Sequence, residues 1–431
     1  MGLQPRTAVY IGLGAAATAF LGYMVYFDYQ RRNNPVLKKK IKSVVKAASE
    51  EVLPSTPEEK EKYFMQQVAL GEGLCNKGEE FYNDAILPFY LALRVYPAPM
   101  DLIMIYQKTV PEAVFQMIIN AMALDQQKRQ NQFYENFPPQ ETNTKLVELP
   151  AGVNEEGKPI IRRGLVVSKD IAADEVIYTE KPIVSGLCPA LEGSYCNLCL
   201  KHLESKVECA DCDAVAFCSD ECLSHAKKEY HQYVCTQNKK EKNNEAIEFR
   251  QTLEKNNTKY PAMIARFLSA MVVEELEKSK ENAKLGEANF GAWDHVDRFR
   301  YLEISENADS TTEIELLKKV LGPKVQGINE FLSNEIYLML KGKLLYNAYA
   351  VPAGSEGVEV EESKEHARKT DNEAKPIGAA LYKISTYISQ SEESPNVKVS
   401  FENDVITVKS LREIKENEEL TAAYTLPVAK K

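Results

Sequence analysis

The chain has 431 residues, 44 % of them hydrophobic and 27 % charged, ordinary values for a globular protein with room for two or three domains. Its net charge of −10 excludes the basic face that nucleic-acid binders carry, so no nucleic-acid partner is expected, and it favours basic partners through long-range steering.

The first predicted element is a membrane anchor. Ala8 to Phe27 is a run of 20 residues without a charge, and as a helix it would be about 30 Å long, the thickness of a bilayer core. Tyr10, Tyr23, Tyr26 and Tyr29 lie near its ends, where aromatic belts sit. Only Arg6 precedes the run, whereas Arg31, Arg32, Lys38, Lys39, Lys40 and Lys42 follow it. That bias predicts a single-pass topology with everything C-terminal in the cytosol. A cleaved signal peptide is the competing reading, since Ala15-Ala16-Ala17 resembles a cleavage site. A charged tether is expected over 28–59, with Pro35, Pro54 and Pro57 in it.

From Lys60 to Leu124 the apolar residues recur at helical spacing. Phe64, Val68 and Leu70-Gly71 belong to a first helix. Ala85, Phe89, Ala92 and Pro97 reproduce the second-helix spacing of a tetratricopeptide repeat, with Pro88 expected to kink that helix. One such repeat cannot bury its own apolar face, so helices at about 100–108 and 111–123 are expected to cover one side. Residues 125–145, polar and containing Pro138-Pro139, read as a linker.

Strand-like alternation begins at 146 and continues to 187. Seven of the nine cysteines then fall between Cys196 and Cys235. Their spacing is Cys196-x2-Cys199, Cys209-x2-Cys212, Cys218-x3-Cys222 and His231-x3-Cys235. Eight ligands in short-spaced pairs suit two tetrahedral Zn²⁺ sites with no open position, hence structural rather than catalytic. Disulfides are the competing reading, disfavoured on the cytosolic side. Cys75 and Cys188 read as ordinary buried thiols. A helical insert follows over 236–345, then an acidic insert (356–373) within a strand-rich segment at 346–427.

Three resemblances follow from these residues. The segments FMQQVALGEGLCNKG, FYLALRVYPAP and IYQKTVPEAVFQMI behind an anchor resemble the presequence receptor of the mitochondrial outer-membrane translocase, the twenty-kilodalton Tom receptor family, over residues 1 to about 125. The resemblance implies a TPR-like receptor domain at 60–124 on the mitochondrial outer membrane. Its partners would be precursor presequences and other subunits of the TOM complex. A groove lined by Phe64, Met65, Val68, Leu102, Ile105 and Tyr106 would hold the apolar side of a targeting helix. Glu58, Glu59, Glu61, Glu72, Glu79 and Glu80 would attract its basic side. Physical chemistry asks for the same thing, because targeting peptides are apolar on one face and Arg-rich on the other.

The cysteine order, with Phe217 before Cys218, resembles a MYND finger. That family's interleaved pairing would place Cys196, Cys199, Cys218 and Cys222 on one ion and Cys209, Cys212, His231 and Cys235 on the other. The flanking segments IRRGLVVSKDIAADEVIYTEKP, YNAYAV, IGAALY, SPNVKVSF and LREIKENEELTAAY resemble the SET-and-MYND protein methyltransferases. The expected architecture is therefore multidomain: a transmembrane helix, an all-α TPR-like domain, and an α+β SET-like domain with an inserted MYND finger.

Tyr424 sits where that family has its catalytic tyrosine. The family's Asn-His-Ser-Cys-x-Pro-Asn is replaced by Ser389-Gln390-Ser391-Glu392-Glu393-Ser394-Pro395-Asn396, and Arg162 stands at the first glycine of its Gly-Arg-Gly motif. Four residues follow Pro427, so the closing cysteine-rich segment is expected to be lacking. The resemblance thus predicts an inactive SET module that does not use S-adenosylmethionine. The alternative is a membrane-tethered, S-adenosylmethionine-dependent protein lysine methyltransferase.

Overall fold

A computed structural model describes residues 35–425 except 55–56, 97–98, 154–156, 158, 240–241, 281–289, 326, 354–364, 366 and 371–373. The anchor at 8–27 lies outside the described residues, as does most of the acidic insert. Among the described residues no helix is long and apolar enough to cross a membrane. The chain divides into two compact units, residues 1–135 with 278–289 and residues 136–277 with 290–431.

The first unit is all helical. Its helices are α1 (Pro35–Glu50), α2 (Pro57–Cys75), α3 (Tyr82–Val95), α4 (Pro99–Thr109) and α5 (Glu112–Asn136). The segment expected as tether therefore contains a packed helix. Ile41, Val44, Val45 and Ala48 recur at i, i+3, i+4 and i+7 and are buried in the same core as α3, which is the stripe an amphipathic helix needs. Helix α5 likewise runs through the first half of the expected linker. Its Gln, Lys, Arg and Glu residues are good helix formers, and the helix ends just before Phe137-Pro138.

Helices α2 and α3 form the antiparallel pair at the centre of this unit. Phe64 meets Tyr96 with ring centroids 4.9 Å apart, and Gly71 lies against Phe89 seven residues along. A Cβ at Gly71 would stand 2.8 Å from the Phe89 ring, so glycine lets the helices approach. Phe89 in turn packs edge-on to Tyr106 of α4 at 5.0 Å. Pro88 is buried and α3 continues through it.

The second unit begins with the hairpin β1 (Thr144–Val153) and β2 (Pro159–Val167). Strands β3 (Val176–Glu180) and β4 (Val184–Leu187) follow, then the cysteine-rich segment. Helices α6 (Asp220–Ala226), α7 (Asn244–Asn256), α8 (Tyr260–Lys280), α9 (Ala292–Asp297), α10 (Ala308–Leu321) and α11 (Asn334–Asn347) lead to β7 (Tyr349–Pro352) and β8 (Pro376–Leu381). The small strands β5 (Val207–Glu208) and β6 (Ala216–Phe217) lie within the cysteine-rich segment. The chain then returns through β9 (Ser389–Gln390), β10 (Val397–Glu402), β11 (Val405–Ser410) and β12 (Thr421–Ala422).

Two sheets close the insertion. One is five-stranded in the order β3-β11-β10-β12-β9, and the other is three-stranded in the order β4-β8-β7. In the first, Tyr178 pairs with Val408 and Glu180 with Ile406. In the second, Val184 pairs with Leu381. The strands on either side of the insertion are thus one domain, and these pairings fix the register across it. Glu180 ties the two sides further, accepting the main-chain N–H groups of Ile384 (2.8 Å) and Ser385 (3.0 Å).

Candidate functional sites

Three places in the molecule carry chemistry. The first is the surface of α2 and α4. Met65, Val68 and Glu72 fall at i, i+3 and i+7 on one face of α2. Met65 is 62 % exposed, Phe64 and Val68 are half-buried, and on α4 Ile105 is 50 % and Met104 40 % exposed. Leu102 and Tyr106, expected as groove lining, are instead only 3 % and 2 % exposed. They belong to the core with Phe89, so they support the surface and offer none themselves. The Tyr106 hydroxyl is pushed well above its ordinary pKa, by burial first and then by the nearby charge of Glu72. All six candidate glutamates, Glu58, Glu59, Glu61, Glu72, Glu79 and Glu80, are exposed. Of the two lone thiols, Cys188 is buried and Cys75 only half-buried.

The second is the cysteine-rich segment. Two sets of ligand atoms converge, Cys196, Cys199, Cys218 and Cys222 in one and Cys209, Cys212, His231 and Cys235 in the other, each with all atoms within 4.8 Å. This is the interleaved pairing that the resemblance to a MYND finger implies. The Cys199–Cys218 and Cys218–Cys222 sulfur pairs are 3.6 and 3.5 Å apart, and Cys212 Sγ lies 3.5 Å from His231 Nε2. Four sulfurs at ~2.3 Å from one zinc ion would be ~3.8 Å from each other, so both sets fit that ion.

Local structure explains the convergence. Leu200 adopts a left-handed φ of 60° and closes the turn by donating its N–H to the Cys196 carbonyl. The β5–β6 hairpin, pairing Val207 with Phe217 and Glu208 with Ala216, carries Cys209 and Cys212 in its loop and Cys218 just beyond its second strand. Ser219 caps α6 by accepting the N–H of Cys222. His231 ends a π-helical turn, Lys227–His231, and is buried beside Phe217. Hydrogen bonding within each set favours one thiolate, lowering the pKa of Cys196 through Cys199 and that of Cys212 through Cys235. The thiolate is the form that ligates metal. Arg266 of α8 fastens this segment, donating to the Asn197 carbonyl at 2.7 Å and the Ser185 carbonyl at 3.0 Å and lying 4.6 Å from the Tyr230 ring.

The third is a cleft of about 490 Å³ in the second unit, where Ile160 to Arg163 of β2, Ser389-Gln390 of β9 and Tyr424 come together. Tyr424 is buried and its hydroxyl donates to the Ile388 carbonyl at 2.9 Å. Arg162 reaches across to Glu419 at 2.5 and 2.9 Å and to the Ser389 hydroxyl at 3.0 Å. Gln390 donates to the Tyr424 carbonyl at 2.8 Å. Arg298, Arg300 and Arg368 also line the cleft. The sequence singled out none of these three, because Arg298 and Arg300 lie some seventy residues before Arg368 and nothing in their spacing marks a site.

With this geometry described, the likeness to known proteins can be stated. Residues 10–49 and 39–135 match the family model of the MAS20 protein import receptor, and residues 162–425 match that of the SET domain. The mitochondrial import receptor subunit tom20 of Neurospora crassa is 37 % identical over 148 residues, covering 28 % of this chain and 81 % of the receptor. The mitochondrial import receptor subunit TOM20 of Saccharomyces cerevisiae is 36 % identical over 151 residues, covering 28 % and 78 %. The protein-lysine N-methyltransferase SMYD4 of Mus musculus is 28 % identical over 148 residues, covering 30 % of this chain and 17 % of that protein.

Proposed function

Because the chain belongs to the MAS20 import receptor family through its N-terminal part and to the SET domain family through its C-terminal part, we propose that it is a receptor for mitochondrial presequences. It is held at the outer membrane by an anchor at 8–27, works beside other subunits of the TOM complex, and keeps the rest of the chain in the cytosol. The receptor domain (60–124) captures the apolar face of an amphipathic precursor helix on Phe64, Met65, Val68 and Ile105. Leu102 and Tyr106 are the floor beneath them. The exposed glutamates draw in the basic face of the same helix.

The observation that carries this reading is the exposure of Met65 and Ile105, large apolar side chains left in solvent over a buried core and beside exposed acids. Such a surface binds weakly enough to release cargo, in the micromolar range at about 8 kcal/mol. The test is fluorescence anisotropy of the full chain with an Arg-rich amphipathic peptide and with a scrambled peptide of the same composition. Only the amphipathic peptide is expected to bind. Equal binding of both would remove the groove from the account.

The SET-like module serves as a scaffold in this proposal. Its inserted finger (196–235) holds two structural Zn²⁺ ions on the two ligand sets. Its cleft does not suit S-adenosylmethionine. Arg162 puts a long side chain where a cofactor-approaching glycine is needed, and the arginine-rich lining opposes a sulfonium cation. Tyr424 then has no methyl donor beside it and acts in packing.

A further inference from the structure

The cleft of the second unit is a built site in its own right, and its charge points to a ligand. The geometry assigns it to a small organic phosphate, of the nucleotide class. The assignment does not depend on the receptor reading, since every lining residue belongs to the second unit.

Five arginines line the cleft, and no aspartate or glutamate stands among its described lining residues. Three have carboxylate partners just outside it. Arg162 pairs with Glu419, Arg163 with Glu148 at 2.7 Å, and Arg298 with Asp294 at 3.8 Å. Arg300 and Arg368 have none among the described residues. Arg300 is exposed and lies 5.5 Å from the Tyr346 ring.

Arg368 is only 2 % exposed, yet its donors go to neutral acceptors. They are the main-chain carbonyls of Tyr346 (3.0 Å) and Thr386 (3.1 Å), the Tyr349 hydroxyl (3.3 Å) and Asn347 Oδ1 (3.4 Å). The faces of Tyr424 and Tyr349, 4.9 and 5.3 Å away, help to hold the cation. A buried guanidinium in neutral company keeps its full charge unneutralised. Buried Arg368 and exposed Arg300 thus put two cations without carboxylate partners among the described residues on one cleft, which matches a dianionic group, and the planar donor fork of arginine matches phosphate oxygens.

Size and rim complete the assignment. A cavity of about 490 Å³ has the volume of a small-molecule site, within the ~300–1,000 Å³ that such sites span. Ile160 and Ile161 at its edge are 41 % and 60 % exposed, and Tyr346 is half-buried between Arg300 and Arg368. An apolar rim beside an aromatic face asks for a flat or apolar body attached to the phosphate, which a nucleotide supplies and a bare ion does not.

The experiment is competition against fluorescent ADP on the purified full chain, with ADP, adenosine, inorganic phosphate and S-adenosylmethionine as competitors. ADP is expected to displace the probe saturably, and adenosine at least tenfold more weakly. Affinity should fall at least threefold between 50 and 200 mM salt. Arg300→Gln, at an exposed position, is expected to weaken ADP at least fivefold without unfolding. Arg368→Gln should weaken it as much, read only where near-ultraviolet circular dichroism is unchanged. The assignment is overturned if the probe does not bind, if adenosine or S-adenosylmethionine competes as well as ADP, or if Arg300→Gln binds ADP as the parent does.

Discussion

The receptor surface makes its sharpest prediction at Ile105, because the structure separates it from its neighbours in α4. Complete burial of an isoleucine side chain contributes about 1.5–3 kcal/mol. Half of Ile105 is already covered, since it is 50 % exposed. Docking a peptide over it can therefore gain about 1 kcal/mol, and Ile105→Ser should weaken presequence binding roughly five- to tenfold while leaving the melting temperature nearly unchanged. Leu102→Ala does the opposite. That side chain is 3 % exposed, so truncation costs about 2–5 kcal/mol of domain stability and affects binding only through unfolding. Anisotropy titration with a labelled presequence gives the first quantity and circular dichroism melting the second. Leu411→Ser is the control, because Leu411 is also 50 % exposed but belongs to the second unit. The reasoning fails if Ile105→Ser binds within twofold of the parent with its fold intact, or if Leu411→Ser loses as much.

Metal analysis of freshly purified chain should find two zinc ions, and Cys212→Ala should leave one; a parent near zero refutes the finger. Chelation should unfold 196–235, given ~10–16 kcal/mol of apparent binding free energy for such sites. Gly71→Ala places a methyl 2.8 Å from the Phe89 ring, so overpacking of about 1–3 kcal/mol should outweigh the ~1 kcal/mol gain in helix propensity; amide exchange in α2 and α3 should quicken, and slowing would contradict the packing. Burial holds the imidazole of His295 at a pKa of about 3, so its neutral form stabilises the fold above pH 6.5 and that stability is lost as the pH falls towards 3. Denaturant unfolding of the second unit should weaken by about 1.4 kcal/mol per pH unit below 6.5 from this one group, and His295→Gln should flatten that slope.

Much of this was legible in the chain because it rests on spacing. The cysteine intervals gave eight ligands for two ions, the resemblance to a MYND finger implied how they divide, and helical periodicity gave α4 and α5 to within a residue or so at their starts. What escaped had physical causes. Helix α1 was hidden because six lysines and arginines around it read as tether, although four apolar residues at 41, 44, 45 and 48 carry its packing. Helix α5 overran the expected linker because a polar composition is no obstacle to a helix. The resemblance to the import receptors grouped Leu102, Ile105 and Tyr106 as groove lining, but which of them a neighbour covers depends on Phe89, contributed by another helix. Arg298, Arg300 and Arg368 were invisible for the same reason, since they meet Arg162 in one cleft only after the sheets have closed over the insertion.

That closure also explains how the cleft can depart so far from its family pattern without cost to the fold. The register of the second unit is set by β3 on β11 and β4 on β8, with Glu180 latching Ile384 and Ser385. None of these contacts involves Arg162, Arg300 or Arg368. At the β2 edge the two former glycine positions divide the same way. A Cβ at Gly164 would stand 2.4 Å from Leu149 Cδ1 and 2.9 Å from the side-chain ends of Arg162 and Glu419, so a larger residue there would have to displace three side chains, the Arg162–Glu419 pair among them. Position 162 lines the cleft, and the arginine there has Glu419 and Ser389 as partners. Side-chain packing constrains position 164, whereas the side chain at 162 lines the cleft and takes no part in the strand pairings that set the register.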